Sequence, residues 1–89
     1  MRTIYKYPLH IGSQKLDLPV GARILDVQEQ RHVLTLWAIV DSSPEAPRKA
    51  FFLHVVMTGT DLPNAMDDLE HVATVQQGEF VWHVFLEPK

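Results

Sequence analysis

The stretch Phe80-Val81-Trp82-His83-Val84-Phe85-Leu86 leaves little freedom in how this chain folds, because apolar residues fill both of its alternating faces. In an extended backbone Phe80, Trp82, Val84 and Leu86 project one way, and Val81, His83 and Phe85 the other. Neither face can be left to water. The strand needs cover on each, from the rest of the fold or from a second copy of the chain. Two further stretches share the property: His32 to Val40, apolar throughout apart from Thr35 and its leading histidine, and Ala50 to Met57, interrupted only by His54. These three predict the buried centre, with His32–Val40 in a sheet interior. They are one more than a domain of 89 residues usually buries, which predicts an exposed apolar face open to self-association.

The remaining segments alternate on one side only. Met1 to Leu9 reads as a half-buried strand with Thr3, Tyr5, Tyr7 and Leu9 on one face, and Pro8 belongs at its end or on an edge. Gln14 to Leu18 and Arg23 to Gln28 are short one-sided strands, the second followed by a polar turn at Glu29-Gln30-Arg31. Asp41 to Pro47, with two prolines and small acidic residues, is the most loop-like tract, and 41–49 is a candidate binding loop. Leu62, Met66 and Leu69 recur at i, i+4 and i+7, predicting one short helical turn over 63–69. His71 to Gln77 joins Phe80 to Leu86 through a hairpin at Gln77-Gly78, where glycine supplies the positive φ of a tight turn. The sum is a single all-β domain over residues 1–89, a compact small sandwich or barrel-like roll of about seven short antiparallel strands.

Composition excludes several functions. An apolar fraction of 46% with 21% charged residues rules out a disordered chain. A net charge of -3 with no block of like sign offers no basic surface for phosphates, so duplex nucleic acid is not an expected partner. The absence of cysteine removes disulfides, thiolate metal sites and a thiol nucleophile, and fits a reducing, cytoplasmic setting. The apolar run Ala50–Met57 is far short of a membrane helix, and no apolar segment follows Arg2 and Lys6, so neither a membrane span nor a secretory signal is expected.

Chemistry-bearing residues are scattered. The five histidines, His10, His32, His54, His71 and His83, show no metal-ligand spacing, although the hairpin would bring His71 near His83 at its open end. Ser13, Ser42 and Ser43 lie in turn tracts outside any nucleophile-elbow frame. Asp67-Asp68 with Glu70 lacks the ligand ladder of a calcium loop. No cofactor, metal or enzymatic activity is expected. Binding is the remaining class, carried by Tyr5, Tyr7, Trp37, Trp82 and His83 with the cations Arg48 and Lys49. Aromatic residues belong to cores more often than to stacking platforms, so exposure decides for each: an exposed Trp82 is an anchor, a buried one is packing.

Ile4-Tyr5-Lys6-Tyr7 with Leu9, Leu18-Pro19-Val20-Gly21-Ala22 leading into Ile24 to Gln28, Leu36-Trp37-Ala38-Ile39-Val40-Asp41 and Phe80-Val81-Trp82-His83-Val84-Phe85 together resemble a family of small uncharacterised bacteriophage and prophage proteins. The likeness spans most of the chain. It departs at Thr58-Gly59-Thr60-Asp61, where members carry a glycine-richer tract. The resemblance supplies no catalytic residue or ligand; it implies a phage context and a domain of unknown function. The expected role is an accessory protein that binds and inhibits a host, defence-related protein. The alternative is an oligomer that sequesters a nucleotide signal between subunits, using Arg23, Arg31, Arg48, Lys49 and the aromatics.

Overall fold

A computed structural model of the chain describes residues 1–62 and 68–88. It contains strands β1 (Arg2–Pro8), β2 (Gly12–Pro19), β3 (Arg23–Gln30), β4 (Val33–Asp41), β5 (Arg48–Met57), β6 (Glu70–Gln77) and β7 (Phe80–Leu86). All pairings are antiparallel, in a three-stranded sheet ordered β1-β4-β3 and a four-stranded sheet ordered β2-β5-β7-β6. The two sheets share no ladder among the described residues, so the domain is a sandwich and not a closed barrel.

The three strands that are apolar on both faces are the ones without a free edge: β4 centres the smaller sheet, and β5 and β7 lie inside the larger. The reason is the same for each. An interior strand has neighbours on both sides whose side chains shade its outward residues, whereas an edge strand has one. Leu34, Leu36, Ala38 and Val40 of β4 face Leu53 and Val55 of β5 and Trp82 and Val84 of β7 in one continuous core. With only two layers, cover reaches one face of each sheet. The outward residues Val81, His83 and Phe85 of β7 are half-buried by neighbours in their own sheet, with no third sheet over them among the described residues.

Some boundaries differ from those read in the sequence. The turn expected at Glu29-Gln30-Arg31 is at Arg31-His32, because Gln30 pairs with Val33 and extends β3 by two residues. Both turn residues have left-handed backbones, φ 53° and 69°, as a two-residue hairpin with mirror-image twist requires. Arg48 and Lys49, placed in the 41–49 loop, belong to β5, where they pair with Pro19 and Leu18. The β6–β7 hairpin is where the glycine put it, with Gln77 opposite Phe80 and Gly78 at φ 60°. Register shifts between Ile24 and Asp26 and between His71 and Ala73 mark irregularities on the two edge strands β3 and β6. The helical turn expected over 63–69 centres on residues 63–67, outside the described residues.

Candidate functional site

The outer face of the four-stranded sheet gathers more chemistry than any other part of the molecule. Period-two alternation turns Phe52, His54 and Val56 of β5 and Val81, His83 and Phe85 of β7 outward. The register then sets His54 between Ser13 and Phe85, with His71 beyond Phe85, and sets His83 between Val56 and Thr74. Phe52, Val56, Val81 and Phe85 therefore alternate with the imidazoles of His54 and His83 across the two interior strands, and the hydroxyls of Ser13 and Thr74 stand on the strands at either side.

These polar groups are hydrogen-bonded in two relays. In the first, His54 Nε2 lies 2.7 Å from Glu87 Oε2 and His54 Nδ1 lies 2.8 Å from the Ser13 hydroxyl. An ionised carboxylate only accepts, so for a neutral ring Nε2 carries the proton, Nδ1 accepts, and Ser13 donates to it. In the second, His71 Nε2 is 2.9 Å from Thr74 Oγ1, which is 3.1 Å from His83 Nδ1, while His83 Nε2 is 2.7 Å from Thr58 Oγ1. Thr58 in turn donates to the Val81 carbonyl at 3.4 Å. One direction satisfies the whole chain: His71 donates to Thr74, Thr74 to His83, His83 to Thr58 and Thr58 to Val81. The edge of the His71 ring also meets Phe85, 5.6 Å between centroids at 66°.

Both ring nitrogens of His54 and of His83 are therefore engaged, which leaves neither as an open metal ligand. Among the described residues no three histidine or acidic side chains converge to hold a metal. The Ser13–His54–Glu87 relay has the polarity of a nucleophile, base and carboxylate, but Ser13 stands exposed on an edge strand of an open sheet face. What it does there is latch Glu87, beyond the end of β7, across β5. The relays fix their side chains before any partner arrives, so binding on this face costs little ordering.

The binding candidates read from the sequence are dispersed. Trp82 is packing: it is 7% exposed, and its Nε1–H donates to Gln77 Oε1 at 3.0 Å. His83 lies in the outer-face network just described. Trp37 sits half-buried on the opposite outer surface, on β4 between Lys6 of β1 and Asp26 of β3. Tyr5 and Tyr7 share the inward face of edge strand β1; Tyr7 packs on the core and Tyr5 is half-exposed. Burial pushes the Tyr7 hydroxyl above the ordinary tyrosine range, the Arg48 guanidinium pulls it back, and Tyr5 adds to the rise. Arg48 donates to the Asp17 carbonyl at 2.7 Å, and the Lys49 ammonium stands 6.0 Å from the Phe51 ring centre. Tyr5 and Tyr7 thus share one face of β1, while Arg48, Trp37, Trp82 and His83 lie on other strands.

Sequence reasoning passed over Ser13, His54, Thr58, Thr74 and Glu87. His54 was visible as the one polar residue in a two-faced strand, but its partners are 41 and 33 residues away and only the strand order brings them to it.

Fold and face together define a small two-sheet antiparallel β-sandwich whose larger sheet carries outward apolar side chains interleaved with hydrogen-bonded imidazoles. The chain belongs to a family described as a domain of unknown function, DUF7352, whose model matches residues 1–89. Neither a curated protein nor a solved structure matches it.

Proposed function

We propose that this protein is a non-enzymatic accessory protein of bacteriophage type that binds, and thereby inhibits, a host defence-related protein in the host cytosol. The observation that carries the reading is the outer face of the four-stranded sheet. Phe52 is 46% exposed, half-buried Val56, Val81 and Phe85 are spread along the same face between the imidazoles, and the polar groups among them are already paired. Apolar side chains set among polar groups that are already hydrogen-bonded can be covered by a protein partner without leaving those groups unpaired, and a second copy of the chain fits by the same physics. Capture from host lysate with the wild-type chain and with Val81→Lys/Phe85→Ser tests the reading. A specific host protein retained by the first and lost by the second, at unchanged thermal midpoint, is expected. Equal capture by both sinks the assignment to this face.

A second reading is a small anionic ligand such as a nucleotide signal, taken by Arg48 together with Tyr5 and Tyr7, which share one face of edge strand β1. A ligand at a hundred times its Kd adds about 2.7 kcal/mol of stability, so a thermal-shift screen with nucleotides, repeated on Arg48→Ala, decides it. No shift with any nucleotide removes this alternative.

A further inference from the structure

At the end of the sandwich where the β3–β4 and β6–β7 turns meet, Glu29, His32, Gln77, Gly78, Glu79 and Phe80 line an open cleft of about 620 Å³. A hollow of about 280 Å³ shares His32 and Gln77 with it and is otherwise walled largely by Leu9, Ile11, Val33 and Leu34. The combined groove is aromatic and acidic in one half and aliphatic in the other.

Its aromatic floor is built on the core. The Phe80 ring is 52% exposed and stacks on Trp82, with centroids 5.9 Å apart and planes 24° apart. Trp82 is fixed by its bond to Gln77 Oε1, and Gln77 Nε2 donates to the His32 carbonyl at 3.0 Å. Gln77 thus ties the platform to the strained Arg31-His32 turn. Charge comes from Glu29 and Glu79, Glu29 lying 3.5 Å from His32 Nδ1. No lysine or arginine lines the cleft among the described residues, so a phosphate or carboxylate ligand meets repulsion there.

An exposed aromatic ring in a cleft that two carboxylates also line suits a flat cation. A guanidinium lies against an aromatic ring and donates in its plane to carboxylate oxygens, which a lysine ammonium does not match. We propose that this cleft binds an arginine side chain of a partner protein, with a neighbouring aliphatic side chain of the same segment in the adjoining hollow. The site is separate from the outer sheet face and stands or falls apart from it.

The test is an amide NMR titration of the full chain with N-acetyl-Leu-Arg-amide and with the matched citrulline and lysine peptides. The arginine peptide is expected to shift Glu29, Gln77, Glu79 and Phe80, the lysine peptide to do so more weakly, and citrulline, which keeps the shape without the charge, to leave them in place. Phe80→Leu weakens arginine-peptide binding about two- to fivefold, the loss of one exposed cation–π contact. Glu29→Gln/Glu79→Gln reduces the response to the citrulline level. All three side chains are exposed, and an unchanged thermal midpoint shows that the fold is intact. An equal response to citrulline, shifts that map away from this cleft, or variants that bind as tightly as the wild type overturn the proposal.

Discussion

At the scale of single residues, backbone strain and one carboxylate give the most direct tests. Arg31 and His32 both hold left-handed backbones without being glycine or asparagine, which costs about 1–2 kcal/mol each. His32→Gly removes that cost at one position and restores part of it as unfolded-chain entropy. A net gain of about 0.5–1 kcal/mol is expected in chemical denaturation, since the His32 ring is 96% exposed and its pairing with Glu29 is worth little. The Gln77 bond to the turn survives the change because it uses the His32 carbonyl. Asp41 supplies the pH test. The Ser43 backbone N–H, 2.9 Å from its Oδ1, and the Ser43 side chain hold the Asp41 carboxyl below its usual value of 3.8. A depressed carboxyl contributes stability that is fully present above the unfolded-state value and fades as pH falls through the lower folded one. The stability difference between the wild type and Asp41→Asn is therefore flat near neutrality and moves only below about pH 4, a window set by the unfolded carboxylate. A difference that changes between pH 5 and 8 contradicts this.

At the scale of elements, each interior strand has one dry face and one half-wet face, and adjacent residues separate the two. Leu53 of β5 is fully buried against β4 and β7, while Phe52, next to it, is 46% exposed on the outer surface. Leu53→Ala should cost about 2–5 kcal/mol, the range for emptying a packed core position. Phe52→Ala should cost about 1 kcal/mol or less, despite removing the larger side chain. Denaturant midpoints for the pair check it, and equal losses would mean that a second layer covers Phe52. Much of this pattern was legible. Apolar residues on both faces marked β4, β5 and β7 as the buried centre and β4 as a sheet-interior strand, and β7 runs over the same residues, Phe80–Leu86, that its composition marked. The β3–β4 turn was not legible, because Arg31-His32 lacks the Asn-Gly chemistry of such turns. Pairing of Gln30 with Val33 imposes its geometry from outside.

At the scale of the whole molecule, the chain is a slab. Its principal extents are 41 × 31 × 15 Å and its radius of gyration is 13.5 Å, against about 12 Å for a compact domain of this length. Its accessible surface of 6011 Å² exceeds the roughly 5,300 Å² usual for this mass by about 700 Å², close to what one partner contributes to a standard interface. A second copy of the chain on the outer face of the larger sheet is one occupant that such a surface would suit, and it can be tested directly. Sedimentation at high micromolar concentration should show species heavier than the 10.2 kDa monomer, reduced to monomer by Val81→Lys. A strict monomer at that concentration leaves the face to another partner.

The sequence by itself determined that this is an all-β chain, which three strands form the buried centre, and where the last hairpin turns. Those are local properties, carried by alternation over seven to ten residues and by one glycine. It also required cover for both faces of Phe80 to Leu86 without saying from where. Only the tertiary structure decided that Trp82 and Val84 are covered within the chain while Val81, His83 and Phe85 look outward. The reason is that the three-stranded sheet packs on the Trp82–Val84 side of the sheet β2-β5-β7-β6 only, through side chains far apart in the chain. The strand order of that larger sheet also brings Ser13, His54 and Glu87 together on one face and stacks Phe80 on a tryptophan that the core holds.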